Sequence, residues 1–276
     1  MKSLNVALCF SGQVRAWEKA LPTIQKFMNG FDKKPDIFAH IWDFNSTSNA
    51  VFKQTGKRED IEVPQEELHR LLEAYKPLKV VIEDKRKSKL IGERLHQKIK
   101  AIKDLDVDEH IDGTPYWLGP QYYGIHQAAL LKDEHENEGD FYYDAVIRMR
   151  FDTFLDDDFI ANFFGTYNHK FLEPFTVYNT HVFSTRQHPF VGIGDIFFYA
   201  DSLTYTIVSD YINNLPHVFD AMDCRDVSPE EYFGFYIRSC YLKFQSMNYL
   251  NPSVARPDEY FNILKEHNFE PYSCDV

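Results

Sequence analysis

Cysteine is scarce in this chain: four in 276 residues, Cys9, Cys224, Cys240 and Cys274, with no Cys-x-x-Cys pair. A zinc ribbon and a disulfide scaffold are therefore not expected. No run reaches the roughly 18 apolar residues that a transmembrane helix needs. The opening Met1-Lys2-Ser3-Leu4-Asn5 lacks the apolar stretch and cleavage site of a signal peptide. A soluble protein in a reducing cytoplasm, with no transmembrane segment, is the expectation. The twelve glycines form no Gly-x-Gly-x-x-Gly fingerprint, which argues against a classical dinucleotide fold. Positive charge is in deficit, 30 Lys and Arg against 42 Asp and Glu, for a net −12. That balance disfavours nucleic acid as a partner. It leaves room for a small anion held by a few placed arginines.

What the chain has is apolar mass, 44% of residues, rich in Phe and Tyr, enough for a sizeable core. Asn5 to Phe10 is a nearly continuous apolar run ending at Ser11-Gly12, the pattern of a strand buried on both faces. Trp17, Leu21, Ile24 and Met28 follow at helical spacing, with Pro22 early or at a kink. Asp36 to Trp42 is a second strand, completing a βαβ unit. A helix is expected at Glu66 to Tyr75 and a strand at Leu78 to Ile82. Residues 85 to 103 hold eight Lys or Arg around a ragged apolar stripe, either a solvated helix or a contact for an acidic partner. Pro120 to His135 reads as a helix with proline in its first turn. Ala145 to Arg150 reads as a strand, as do Phe171 to Asn179 and Asp195 to Ala200. Helices are expected at 201 to 214, 229 to 244 and 257 to 267, the second opened by a capping box at Ser228 to Glu231. The fold expected is α/β: a nucleotide-binding Rossmann-type half, 1 to 152, whose sheet continues into a mixed α+β half, 153 to 276.

Three segments carry candidate chemistry. Ser11-Gly12-Gln13-Val14-Arg15 ends the first strand, and ligands of open α/β sheets bind beyond the carboxyl ends of strands. Glycine allows close backbone approach, and Arg15 offers a planar fork for phosphate; an ordinary turn with a surface arginine is the other reading. Trp42-Asp43 ends the second strand, where a ring could stack on a base and a carboxylate could accept its N–H. A core Trp beside a turn Asp is the alternative. Arg148-Met149-Arg150-Phe151-Asp152 is the most informative, because period two puts Arg148, Arg150 and Asp152 on one face. Buried charges must pair with each other or meet a charged ligand. A diphosphate would answer the arginines and a divalent cation Asp152; an internal Arg–Asp ladder would answer both.

These segments resemble, in order, the GT-A class of nucleotide-sugar glycosyltransferases, in particular the group from bacterial surface-polysaccharide clusters and large viruses. The resemblance rests on Val6 to Arg15, Asp36 to Asp43, Tyr143 to Asp152 and Gly194 to Ala200. It implies a GT-A-like fold and a hexosyl- or pentosyltransferase of polysaccharide biosynthesis. The donor implied is a nucleoside-diphosphate sugar of UDP type, and the acceptor a glycan or other hydroxyl. Such enzymes usually carry Asp-x-Asp, whose carboxylates hold a divalent metal, Mn or Mg, on the diphosphate. Here the stretch is Arg150-Phe151-Asp152, so Asp152 is the one metal ligand implied, and a guanidinium stands where the other carboxylate would be. Asp156-Asp157-Asp158 reads as a turn or helix start. Tyr116 to Tyr122 could line the donor pocket, with Gln121 reading a hydroxyl or base edge.

An inverting transferase needs a carboxylate to take the acceptor proton. Asp195 is the first candidate and Glu230 the second, Glu231 being explained by the capping box. A turn residue at a strand start remains the plain reading of Asp195. Two readings from other classes stay open: a non-catalytic sugar-nucleotide-binding protein, and an interaction module using residues 85 to 103.

Overall fold

Val6–Gln13 (β1) is buried from Val6 to Ser11, because helices cover both faces of the sheet at this strand. The computed structural model describes residues 3–46, 60–103, 114–165, 172–180, 182–184, 191–222, 229–247 and 253–254. Six further strands join β1: Asp36–Trp42 (β2), Lys79–Glu83 (β3), Ala145–Met149 (β4), Thr176–Asn179 (β5), Phe197–Ala200 (β6) and Lys243–Ser246 (β7). Their order is β3-β2-β1-β4-β6-β5-β7, and β6 alone runs against its neighbours. The α/β class, with a mixed sheet continuing from a Rossmann-type half, is thus as expected.

Eight helices accompany the sheet among the described residues: Trp17–Met28 (α1), Gln65–Tyr75 (α2), Lys85–Lys103 (α3), Thr114–Gly139 (α4), Asp157–Gly165 (α5), Ser202–Ser209 (α6), Tyr211–Ala221 (α7) and Pro229–Ser239 (α8). Alternation along the strands divides the core into two layers. Leu8, Phe10, Ile147 and Met149 face α1, α2 and α5 through Trp17, Ile24, Phe27, Leu71 and Phe163. Ala7, Cys9, Val146 and Phe198 face the other way, toward Tyr122, Ile125 and Ala128 of α4 and the aromatic residues of α6 to α8. Arg148 has the parity of this second layer. The helix after β1 and the helix before β4 therefore lie on opposite faces. Such a reversal, here at the carboxyl ends of β1 and β4, is where open α/β sheets form their binding crevice.

Two close fits set the position of α4. Lys132 is fully buried, with its ammonium 2.5 Å from Asp133, 2.8 Å from Glu136 and 2.5 Å from the Ser202 hydroxyl, which ties α6 to α4. Gly124 meets the sheet so closely that a Cβ there would lie 2.9 Å from His40 Nδ1 and 3.5 Å from Ser11 Cβ. Because the His40 ring is buried and held by Glu83, it has little freedom to yield. Gly124→Ala should therefore lower unfolding stability by about 1–3 kcal/mol despite alanine's better helix propensity. Urea denaturation measures it, and an unchanged or higher midpoint would show that α4 lifts without cost.

Several expected boundaries move. Pro120 lies inside α4 instead of in its first turn. The helix forgoes one N–H there while burying Leu118, Gly119 and Pro120. The helix expected at 201 to 214 is two, meeting at Asp210, and the second extends to Ala221. Asp201 caps α6, its carboxylate accepting from the Thr204 N–H at 3.0 Å. The helix expected to reach 244 stops at Ser239. Tyr241 takes a positive φ of 58° and the chain enters β7, an edge strand whose half-exposed Lys-Phe-Gln-Ser carries almost no apolar signal. The strand expected from Phe171 begins at Thr176. Asp156 opens α5, its carboxylate accepting from the Phe159 N–H at 2.6 Å. The helix expected at 257 to 267 and Ser228 of the capping box lie outside the described residues.

Candidate functional site

At the carboxyl end of β1, Ser11 is paired in register with His40 of β2. Its hydroxyl is buried and has no partner among the described residues. Gly12 follows at φ +126°, a conformation that side-chain-bearing residues rarely adopt, and no atom lies within 4 Å of where its Cβ would be. The backbone is thus bare toward open space where the crevice begins. Arg15 reaches back to the Ser46 carbonyl through Nη1 at 3.3 Å, while Gln13 Nε2 donates to the Ser46 hydroxyl at 3.0 Å. Both long side chains are drawn toward the short ribbon of Phe44–Ser46 and Asp60–Glu62.

Trp42 is buried at the end of β2, against His40, Phe44 and Tyr123. Its ring packs edge-on and tilted against these neighbours. Asp43 donates its N–H to Glu83 O and accepts at its own carbonyl from Val63 N–H. Burial first, then Asp84 and Glu62, push its carboxyl above the usual carboxylate range.

Sequence reasoning passed over a polar group beneath these residues. His40 is fully buried, and its Nε2 lies 2.9 Å from Glu83 Oε2, while Glu83 Oε1 accepts from the Tyr123 hydroxyl at 3.0 Å. Burial depresses the His40 pKa, with Glu83 opposing. A carboxylate only accepts, so Nε2 carries the proton and Nδ1 is left as a bare acceptor, with no partner among the described residues. The available signal was a histidine inside an otherwise apolar strand, two residues before Trp42.

On the other side of Gly12 stands the arginine segment. Arg148 is 1% exposed, with Nη2 3.7 Å from Asp195 Oδ2, too far for a hydrogen bond. Its Nε and Nη1, and Asp195 Oδ2, are buried without hydrogen-bond partners among the described residues. Burial lowers the Arg148 pKa, Asp195 being the main opposing influence, yet a guanidinium stays protonated. A buried cation with most of its donors unmet is costly in the free chain. An anion in the crevice would remove that cost.

Arg150 behaves differently. Its Nε and Nη2 donate to the two oxygens of Asp152 at 2.8 and 2.7 Å, a bidentate pair with Asp152 1% exposed. Burial acts to lower the Arg150 pKa, but Asp152 and Asp195 hold it above the usual arginine range. The shared face of Arg148, Arg150 and Asp152 thus splits into one underused cation and one closed pair.

Asp195 precedes β6. Because β6 is reversed, its start lies at the carboxyl end of β4, with Phe197 opposite Met149. Asn179 donates to Gly194 O at 2.6 Å and fixes the approach to Asp195. Glu230 sits in the first turn of α8. Its charge and that of Asp195 both act on Tyr122, whose hydroxyl pKa is raised by burial, then by Asp195, Tyr211 and Glu230, with Arg148 opposing. The structure therefore brings Arg148 and Asp195 together at the carboxyl end of β4, where they and Glu230 act on Tyr122, beside Ser11 and Gly12 at the end of β1. Gln121 is half-buried on α4, next to Tyr122. Trp42 and Asp43 end β2, the neighbouring strand.

For a divalent cation the fit is poor. Both Asp152 oxygens are engaged by Arg150, and no group of three His, Cys, Asp or Glu side chains is placed to hold a metal among the described residues. Hard cations want several free oxygen ligands. Among the described residues no helix is long and apolar enough to cross a membrane.

No family model and no curated protein matches the chain. Among the solved structures that match is the crystal structure of mouse xyloside xylosyltransferase 1 in its apo form, with a TM-score of 0.38 and 8% identity over 88% of this chain and 84% of that one. At that distance the likeness assigns neither a reaction nor a residue to this chain.

Proposed function

We propose that this chain is a glycosyltransferase that moves a sugar from a nucleoside-diphosphate sugar, of uridine type, to a hydroxyl of a glycan or other acceptor in polysaccharide assembly. The observation that carries this reading is Arg148, a buried guanidinium whose Nε and Nη1 have no partner among the described residues, beside the point between β1 and β4 where the strand order reverses. Such a point is where open α/β sheets bind nucleotides. Bare backbone at Gly12 and the unpaired Ser11 hydroxyl supply a second wall to the same crevice.

In this reading the diphosphate takes Arg148 from Asp195, and the cation offsets the charge that grows on the leaving oxygen. Asp195, released, accepts the proton of the acceptor hydroxyl. The acceptor oxygen bonds to the anomeric carbon as the bond from that carbon to the phosphate oxygen breaks, its electron pair leaving with the diphosphate. Glu230 is the alternative base, in the first turn of α8. No step passes through a metal, since Asp152 is committed to Arg150.

Melting the chain against a panel of nucleoside-diphosphate sugars tests donor binding, because a ligand raises the midpoint by mass action. The expected result is a rise with one or a few donors, and slow release of free sugar from them by transfer to water. Binding without release would identify a non-catalytic nucleotide-sugar binder. No rise with any donor would end the proposal.

A further inference from the structure

The two edges of the sheet are built differently. β7 closes one of them with Lys243 and Gln245 exposed, and polar or charged side chains discourage a sheet edge from pairing with another chain. β3 closes the other, and its two exposed side chains are Val80 at 37% and Ile82 at 42%. Both lie on the face of Ala39 and Ile41, their partners in register, out beyond the cover of α1 and α2. The charges of β3 point the other way, toward α4, and do not guard the edge. Lys79 is held there by Glu134 at 2.9 Å and Glu138 at 2.7 Å, and Glu83 is held by His40.

Register also fixes which backbone groups face outward. In a parallel ladder a residue bonds to the two residues that flank its partner. Glu83 is partnered with Trp42, and its carbonyl accepts from the N–H of Asp43, so Glu83 is a bonding residue. Alternation along the strand makes Val81 and Lys79 bonding residues too. Leu78, just ahead of the strand, still turns its N–H to the Ile37 carbonyl, so the alternation starts at Lys79. Val80 and Ile82 therefore direct their N–H and C=O groups to the open side, where no strand lies among the described residues. The two residues with outward backbone groups are the two with exposed aliphatic side chains.

We infer that β3 pairs with β3 of a second copy of this chain, antiparallel about a two-fold axis at Val81, joining the two sheets into one. The segment Lys79-Val80-Val81-Ile82-Glu83 is self-complementary in that arrangement. Val80 faces Ile82 of the other copy, and the pair exchanges both of its outward backbone bonds. Lys79 faces Glu83 of the other copy, and the axis repeats each pair. Cross-strand pairs of aliphatic groups and of opposite charges stabilise a sheet, and like charges placed opposite destabilise it. Moving the axis spoils the match. Centred on Val80 it sets Lys79 against Val81, and centred on Ile82 it sets Val80 against Asp84 and Val81 against Glu83. A strand of another protein would need this same pattern, which the chain itself already carries. Antiparallel pairing reverses strand direction between the copies, so the carboxyl ends that hold Ser11, Gly12 and Arg148 emerge on opposite sides of the joint sheet. Each copy keeps its own site, and the inference does not depend on the transferase reading.

Sedimentation velocity of the full chain, from micromolar to submillimolar concentration, tests the inference. A reversible monomer–dimer equilibrium is expected. Val80→Lys and Ile82→Lys should each weaken it by roughly 10-fold, because the two-fold axis applies each change twice. Gln245→Lys on the β7 edge should leave it unchanged. Should a lysine unfold the chain, Val80→Pro serves instead, since it removes an N–H that faces outward and leaves the ladder to β2 intact. Cross-linking reads the register. Val81 would face its own copy at a non-hydrogen-bonded position, where Cα atoms are about 4.5 Å apart, within the span of a disulfide. Oxidation should therefore link Val81→Cys chains into covalent dimers faster than Val80→Cys or Ile82→Cys chains, and faster than the parent. A chain that stays monomeric throughout, or a dimer that both lysine variants leave intact, overturns the inference. Faster linking through Val80→Cys or Ile82→Cys overturns the axis at Val81. Donor-induced melting shifts should be the same in all these variants, so this inference and the proposed reaction can fail separately.

Discussion

The double variant Arg148→Met, Asp195→Asn should melt no lower than the parent chain, yet lose the rise in melting temperature that a nucleoside diphosphate gives. In the free chain Arg148 and Asp195 are buried charges 3.7 Å apart, and Arg148 Nε and Nη1 and Asp195 Oδ2 have no hydrogen-bond partner among the described residues. Replacing a buried ion pair by neutral groups of similar shape is often neutral or stabilising, by about 1–4 kcal/mol. Methionine fills much of the arginine's length without a charge to desolvate. The ligand effect should move the other way. A charge-assisted hydrogen bond is worth about 1.5–3 kcal/mol, so affinity should fall by roughly 10- to 150-fold. A ligand at 100 times its dissociation constant stabilises by about 2.7 kcal/mol, and most of that should vanish. Calorimetry with and without UDP reads both quantities. A variant that melts well below the parent and still binds UDP would make Arg148–Asp195 a structural pair and remove the main support for the proposed site. Arg148→Met alone is the weaker test, because it strands Asp195.

Asp195→Asn by itself should lower turnover by roughly 10²–10⁴-fold, the usual worth of a positioned general base. Donor affinity should change little, because Arg148 keeps its unmet donors and the asparagine keeps an acceptor oxygen toward it. Glu230→Gln is the comparison, since both carboxylates bear on Tyr122 from different elements. A large loss in Glu230→Gln with none in Asp195→Asn would transfer the base to the start of α8. Loss in neither, with transfer otherwise established, would leave a retaining reaction that needs no such base. Initial rates at saturating donor, with melting shifts measured beside them, separate a lost base from a lost binding group.

Those expectations differ from what the Arg148 to Asp152 segment alone suggests. Period two puts both arginines and Asp152 on one face and makes them look equivalent. Tertiary structure separates them: Arg150 leaves the end of β4 and closes on Asp152, while Arg148, inside the strand, cannot reach it and faces Asp195.

Local pattern in the sequence determined β1, β2 and β4, because strands buried on both faces need continuous apolar runs, and those runs end at Ser11, Trp42 and Arg150. It also determined the amphipathic α3, and it left Asp156 to Asp158 as either a turn or the helix start that opens α5. β7 was not legible, since an edge strand exposes one face and leaves little apolar signal. The division of 201 to 221 at Asp210 was hidden for a related reason: one helical periodicity runs through both pieces. What only the tertiary structure decided was pairing across the chain. His40 meets Glu83 because β2 and β3 are neighbours in register, and Asp195 reaches Arg148 because β6 is inserted in reverse beside β4. Contacts between residues some 40 positions apart depend on strand order. Strand order is set by which helix covers which face of the whole sheet, and that is written in no single segment.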